Sequence, residues 1–465
     1  MTSKNNQRFF FCLTDCIFTA MTNFSKTIAL LGVVALMSGC LTATNQKVPD
    51  RPNIILIMAD DLGYECIGAN GGTSYHTPEL DRLAKSGIRF EHCYSQPLCT
   101  PTRVKLMTGI YNVRNYVKFG VLDRNQTTFA HLLKNAGYAT CIAGKWQLGS
   151  QPDSPGHFGF DESCLWQHTR GRTDGQKHDT RYPNPRLEIN GEPVDYTLGE
   201  YAPDVTSDFI CDFIERHKDK PFFAYYPMIL THCPFHPTPG SADWDSSDRG
   251  STSYKGDTVY FGGMVSYTDR IVSKLTAKLN ELGLTENTLV VFTGDNGTDV
   301  PVVSVMDGRK VAGRKGQMTD AGTRVPLIVN WKGVIPEGQV CSDLVDFSDF
   351  LPTICETAGI TLPEDLNIDG RSFFPQLIGR TGNPREWIYI WYSRAGKDSD
   401  AKVFARNQRY KLYRSGNFYD IGSDVLEKAP LQDGDLNDET REVKAILEQA
   451  LNQYKDVRPA DMNTI

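Results

Sequence analysis

At 465 residues the chain has room for one large domain with a smaller one, or for about two to three ordinary domains. Apolar and charged residues make up 40% and 23%, the fractions of a soluble globular protein with ample core. The formal charge of −7, with no long basic run, argues against nucleic acid as a partner.

The first element is a leader. Lys26 precedes the apolar run Thr27 to Met37, which ends in Ser38-Gly39-Cys40. A basic residue, a short apolar stretch and small residues make a secretory signal, and the run is too short for a spanning helix. Leu36-Met37-Ser38-Gly39-Cys40 resembles the bacterial lipoprotein cleavage box, with Met37 a less usual choice, and implies lipidation of Cys40 as the mature N-terminus. Met21 is an alternative start, and a plain cleaved signal is the simpler reading. Residues 1–40 are expected to be leader and 41–51 a polar linker. The chain is then exported to the periplasm or cell surface and meets membrane only through its lipid.

Asn53 to Met58 is a continuous apolar β-rich run of the kind that forms a central parallel strand, and Asp60-Asp61 follow it. Pro78 to Ser86 has helical spacing, with Gly87 as its stop. A strand over Ile88–Tyr94 leads into Cys99-Thr100-Pro101-Thr102-Arg103 and a helix-like run. The pattern then predicts a helix over Thr127–Ala136, capped by Thr127 or Thr128, and a strand over Tyr138–Ala143. That strand delivers Gly144-Lys145-Trp146-Gln147-Leu148-Gly149, and residues 151–201 read as long loops.

A helix over Val205–Arg216 precedes a buried strand over Phe222–Leu230, which ends in Thr231-His232-Cys233-Pro234. The long helix Val259–Leu282 follows, then a strand over Thr288–Phe292 ending in Gly294-Asp295-Asn296-Gly297. Gly313-Arg314-Lys315-Gly316 lies in a loop before a strand over Val325–Asn330 and a helix over Ser348–Ala358. This alternation predicts an α/β main domain over 52–383, a mostly parallel sheet with helices on both faces. From Pro384 onward, short strands (Trp387–Tyr392, Lys402–Arg406, Arg409–Tyr413, Asn417–Tyr419) and a closing helix over Glu439–Tyr454 predict a small antiparallel domain over 384–465.

Asp60-Asp61, Lys145, His232 and Asp295-Asn296 all sit at carboxyl ends of predicted strands, where open α/β sheets place ligands. Three carboxylates and an amide form a hard-oxygen set suited to Ca²⁺ or Mg²⁺ rather than zinc. Adjacent carboxylates repel unless a cation neutralises them, although either pair alone also reads as a solvated turn. Lys145, His232 and Lys315 supply positive and titrating groups around an anion, with His236 a lower-ranked competitor. Cys99, at a helix start, faces free N–H groups and the positive dipole end, where thiols become reactive. Arg103, one turn in, can hold an oxyanion by paired N–H bonds. Taken singly, a buried cysteine and a surface arginine are the commoner reading.

Twelve cysteines occur, of which Cys12 and Cys16 fall in the leader and Cys40 is the lipidation candidate. The other nine contain no CxxC pair, so no zinc site is expected. If disulfides form, an odd number leaves one thiol over, and Cys99 is the candidate.

These residues together resemble the sulfatase family of the alkaline-phosphatase superfamily, from about Pro52 to the C-terminus. Cys99-Thr100-Pro101-Thr102-Arg103 fits the signature C-x-P-x-R, continued by Leu106-Met107-Thr108-Gly109. Asp60-Asp61, Gly144-Lys145-Trp146, His232-Cys233-Pro234, Gly294-Asp295-Asn296-Gly297, and Lys315-Gly316 with Gly322-Thr323-Arg324-Val325-Pro326 match the other blocks in family order. The resemblance implies an alkaline-phosphatase-like fold and sulfate ester hydrolysis. It implies that a maturating enzyme oxidises Cys99 to formylglycine, whose hydrate is the nucleophile. Asp60, Asp61, Asp295 and Asn296, with the oxygen of residue 99, would hold one Ca²⁺. Arg103 would stabilise the hydrate, and Lys145, His232 and Lys315 would bind the sulfate, with His232 or Lys315 near the leaving oxygen.

One position departs from the family block Gly-Lys-Trp-His-Leu-Gly: Gln147 stands at the usual histidine and cannot titrate near neutral pH. Trp166, His168, Arg170, Arg172, His178, Arg181 and Tyr182 form a basic, aromatic region suited to a sulfated sugar. The expected substrate is therefore a sulfated small molecule or glycan. The rivals are a phosphonate monoester or phosphodiester hydrolase on the same scaffold and a non-catalytic glycan-binding lipoprotein. Cysteine phosphatases fit less well, because their C-x5-R loop differs from the C-x3-R spacing here.

Overall fold

The computed structural model describes residues 48–463. The leader, Cys40 and most of the linker lie outside the described residues. In chain order the strands are Asn53–Ala59 (β1), Ile88–Tyr94 (β2), Ala139–Lys145 (β3), Glu162–Trp166 (β4), Arg186–Ile189 (β5), Glu192–Asp195 (β6), Phe222–Pro227 (β7) and Thr288–Gly294 (β8). Val303–Met306 (β9), Arg309–Ala312 (β10), Arg324–Asn330 (β11) and Gln339–Asp346 (β12) follow. The C-terminal strands are Ile388–Tyr392 (β13), Lys402–Arg406 (β14), Tyr410–Tyr413 (β15) and Phe418–Asp420 (β16).

Ten strands form one sheet in the order β12-β2-β11-β8-β1-β7-β3-β4-β5-β6. Its centre, β8-β1-β7-β3-β4, is parallel, while β11 runs antiparallel to both β8 and β2. Every residue of β1, β3, β7 and β8 is buried, which is why each reads as an unbroken apolar run: both faces are covered. Ile55, Ile57 and Ala59 share a core with the helices Pro78–Lys85, Ala202–Arg216 and Phe261–Glu281. On the other face Phe129, in the helix Phe129–Asn135, packs edge-on against Phe223 and Tyr225. Fully burying one such side chain contributes about 1.5–3 kcal/mol.

The fold matches the expected α/β architecture, with differences at short elements. The β7 strand ends at Pro227 rather than Leu230, since proline offers no N–H to extend the ladder. The stretch expected to be loop from 151 to 201 contains β4, β5 and β6. Four or five residues of mixed burial give too little alternation to read as strands. Thr128 caps its helix, accepting from the His131 N–H while the His131 ring accepts from the Thr128 N–H.

Strands β13-β14-β15-β16 form a separate antiparallel sheet. One face packs on the helix Asp438–Gln453 through Ala405, Leu412, Phe418, Leu447 and Ala450. The other face packs Ile388, Ile390 and Phe404 with Tyr94, Met318 and Leu344 of the main body. The Lys105 ammonium also reaches across, 2.6 Å from the Asp346 carboxylate and 3.3 Å from the Tyr389 carbonyl.

Candidate active site

Sheet order brings the sequence-predicted residues to one edge. Ala59 pairs with Gly294, so Asp60 and Asp295 leave β1 and β8 side by side, and the Asp295 N–H bonds the Ala59 carbonyl at 2.9 Å. Lys145 is the last residue of β3. His232 lies in the turn beyond β7, which the Asp60–Leu230 and Thr231–Asp60 backbone bonds fasten to β1. Cys99 opens the helix Cys99–Thr108, all ten residues of which are buried. Lys315 comes from the loop before β11.

Two glycines permit this crowding. A Cβ on Gly144 (φ +118°) would sit 2.0 Å from the Pro227 carbonyl of the neighbouring strand. One on Gly297 would sit 1.9 Å from the Ala321 carbonyl, forcing the Asp295-Asn296 turn outward.

The carboxylates interlock. The Asp61 N–H donates to Asp295 Oδ1 at 3.0 Å, and Asn296 Nδ2 donates to Asp61 Oδ1 at 2.8 Å. Lys145 Nζ lies 2.7 Å from Asp60 Oδ2 and 3.5 Å from Cys99 Sγ, while Lys315 Nζ lies 2.5 Å from Asp61 Oδ2. Arg103 donates to the Lys145 carbonyl at 2.7 Å and to Asp295 Oδ2 at 3.2 Å. Cys99 Sγ donates to Gln147 Oε1 at 2.9 Å.

Charges shift accordingly. Burial pushes the Asp295 carboxyl up to about 8, helped by Asp60 and opposed by Arg103. Burial also raises Asp61, with Lys315 opposing. At Asp60 burial is outweighed by the Lys145, Arg103 and Lys315 charges, which hold the carboxyl below its ordinary value. Burial raises the Cys99 thiol even though Lys145 favours its thiolate. The buried setting of this helix start thus favours the neutral thiol over the thiolate. His232 is held well below its usual range by burial and by Lys315, Arg181 and Lys145.

The donor set fits a hard cation. Asp60 Oδ1 and Asn296 Oδ1 are buried without a hydrogen-bond partner, an expensive state unless something binds them. One donor atom each from Asp60, Cys99 and Asp295 lies within 4.8 Å of the others, as do those of Asp60, Asp61 and His232. Oxygen dominates both groups, which favours Ca²⁺ or Mg²⁺ over zinc.

A cavity of about 290 Å³ opens on Cys99, Lys145, Gln147, His232 and Lys315, and Arg172 and Arg181 also line it. A larger one of about 750 Å³ shares Gln147 with it and takes in His168 and Arg170. Arg181 bonds both His232 Nδ1 and the Cys233 carbonyl and stacks 4.3 Å from the Trp166 ring. Tyr182 is buried beneath, donating to the His232 carbonyl at 2.5 Å. Besides Tyr182, two members of the basic, aromatic region line neither cavity. Trp166 closes β4, and His178 bonds Asp174 in a turn that lines neither cavity. His236 bonds Asp248 at 2.9 Å, outside the cavity lining.

The cavity also contains residues that the sequence did not single out: Phe119, Gln167, Tyr254 and Arg394. Arg394 follows β13 in the C-terminal sheet, so no local pattern points to it. All nine cysteines among the described residues are unpaired, so Cys99 is not the odd thiol of a disulfide set.

A family model described as Sulfatase matches residues 52–360, and one described as N-sulphoglucosamine sulphohydrolase, C-terminal, matches 314–457. The chain is 33% identical over 408 residues to arylsulfatase A of Homo sapiens, covering 80% of this chain and 76% of that protein. It is 32% identical over 376 residues to N-acetylgalactosamine-6-sulfatase of Canis lupus familiaris, covering 73% and 69%. Among solved structures, Ps i-CgsB in complex with k-i-k-neocarrahexaose superposes with a TM-score of 0.72 at 26% identity, covering 88% of this chain and 94% of that one. With the strand-end carboxylates, the lysines and Cys99 meeting at one cavity, these matches place the protein: it is an enzyme of the sulfatase family.

Proposed function

We propose that the protein removes sulfate from a sulfated carbohydrate by way of an aldehyde hydrate made from Cys99. The observation that carries this reading is the position of Cys99, facing the cavity with Lys145 Nζ 3.5 Å and Gln147 Oε1 2.9 Å from its sulfur. Oxidised to formylglycine by a maturating enzyme, residue 99 supplies a hydrated aldehyde that can attack sulfur through one hydroxyl and release sulfate through the other. Asp60, Asp61, Asp295 and Asn296 would hold one Ca²⁺, with Mg²⁺ the alternative, which supplies Lewis-acid stabilisation of anionic oxygen.

The remaining work falls to this chain's side chains. Lys145, His232 and Lys315 orient the sulfate and offset its dispersed charge with fixed donors. In the bound substrate His232 or Lys315 would stand near the leaving oxygen. Arg103, held between Asp295 and the Lys145 carbonyl, steadies residue 99. Gln147 accepts a hydrogen bond from residue 99 but cannot take its proton, so either another group serves as base in the last step or turnover is slow.

The relatives named for sugar sulfates and the basic, aromatic cavity support a glycan substrate. We further propose export and lipid anchoring at Cys40, which would bring the site to extracellular glycans.

Peptide mass spectrometry across Cys99 in host-expressed protein tests the mechanism, with sulfate release scored alongside. Formylglycine and sulfate release are expected, and an intact thiol in active protein would sink the proposal. Faster turnover of a matched phosphate ester would favour the phosphonate or phosphodiester rival. Binding of sulfated sugar without release, by fully modified protein, would favour the non-catalytic one, for which Gln147 is the one hint.

A further inference from the structure

Five lysine and arginine side chains line the cavity over Cys99: Lys145, Arg172, Arg181, Lys315 and Arg394. Lys145 and Lys315 are each bonded to a carboxylate, and Arg181 is engaged with His232 and the Cys233 carbonyl. Two further arginines, Arg172 and Arg394, line the same cavity. Arg172 meets Asp179 at 3.6 Å, longer than a hydrogen bond. Among the described residues, no hydrogen bond or ion pair engages the Arg394 guanidinium.

Both guanidiniums lie on aromatic rings. Arg172 is 4.6 Å from the Tyr254 ring centroid and Arg394 is 4.9 Å from that of Phe119, and both rings line the cavity. Stacking occupies a guanidinium's face and restricts its motion, while its in-plane N–H fork stays available. That fork matches the paired oxygens of a sulfate or carboxylate. The two arginines come from the β4–β5 connection and from the C-terminal sheet, so distant segments bring loosely paired charge to one cavity.

We propose that Arg172 and Arg394 form a second anion subsite, which recognises a further sulfate or carboxylate on the same sugar chain. This rests on reading the site as a carbohydrate sulfatase, and it narrows the substrate to a glycan with at least two oxyanions near each other.

Calorimetric titration of Cys99→Ala protein, whose bare methyl cannot be converted to the aldehyde, tests binding without turnover. The probes are N-acetylgalactosamine 6-sulfate, its 4,6-disulfate, and a disaccharide joining glucuronate to the 6-sulfate. At least one doubly charged sugar is expected to bind about tenfold tighter than the monosulfate. The disulfate and the glucuronate arms separate a sulfate from a carboxylate as the second group. The advantage should vanish when Arg172→Gln and Arg394→Gln are added, shrink in high salt, and return in part with Arg394→Lys.

Equal affinity for all three sugars, no binding of either doubly charged one, or an advantage that survives both substitutions overturns the subsite. Sulfate release by wild-type protein is scored separately. Discrimination by a protein that never releases sulfate would uphold the subsite and overturn the catalytic reading.

Discussion

Gln147 Oε1 accepts from two neighbouring residues at once, the Cys99 thiol at 2.9 Å and the Thr100 hydroxyl at 3.3 Å. The side chain therefore sits where a titrating group could exchange a proton with residue 99, yet it carries none to exchange. Substituting Gln147→His is expected to retain activity or raise it by up to about tenfold, with a new pH limb near the histidine pKa. Steady-state kinetics across pH checks this. Complete loss would mean that the glutamine has its own tuned role.

The buried, unpartnered Asp60 Oδ1 and Asn296 Oδ1 predict that a divalent cation stabilises the fold. Ca²⁺ at a hundredfold excess over its Kd should add about 2.7 kcal/mol, seen as a higher Tm in calorimetry. Asp61→Asn should remove most of that gain, and a chelator should lower both Tm and sulfate release. A Tm indifferent to Ca²⁺ and Mg²⁺ alike would count against the site.

Lys105 and Asp346 form an ion pair with no exposed surface on either side chain. Burial lowers the Lys105 pKa while Asp346 opposes that shift. Lys105→Met leaves Asp346 without its cation and should cost about 3–5 kcal/mol in urea unfolding. The double change Lys105→Met, Asp346→Leu should recover much of it. The pair fastens the Cys99 helix to the end of β12, and the same ammonium bonds the Tyr389 carbonyl of the C-terminal sheet, so the single variant should also lower kcat.

His92 supplies a pH dependence remote from the site. Burial, with Arg324 and Arg406 nearby, lowers its pKa to about 4. Between about 4 and the ordinary value of 6.5 the unfolded chain binds a proton that the folded chain does not. This histidine's contribution to stability is therefore present above 6.5 and lost as pH falls through about 4. Denaturant midpoints at several pH values should decline over that window, and His92→Gln should flatten the decline.

Much of the main sheet was legible because fully buried strands must be apolar throughout, so the charged residues that end β1, β3 and β8 stand out. Asp60, Lys145 and Asp295 are readable for that reason. Strands β5 and β6 escaped notice because Arg186–Ile189 is short and Glu192–Asp195 is largely exposed, which leaves no hydrophobic period. At Cys99 only the structure shows that the helix start is buried, where desolvation raises the thiol pKa against the pull of Lys145.

What the sequence determined by itself was the chemistry of each strand end and the C-x-P-x-R stretch that begins at Cys99. Which ends would meet was decided by strand order. Adjacency of β8, β1, β7 and β3 sets Asp295, Asp60, His232 and Lys145 in one row, and that order depends on long-range packing rather than local periodicity. The same holds for Arg394. Its loop reaches the cavity because the C-terminal sheet buries Ile388, Ile390 and Phe404 against the main body, a contact that no segment of the chain specifies alone.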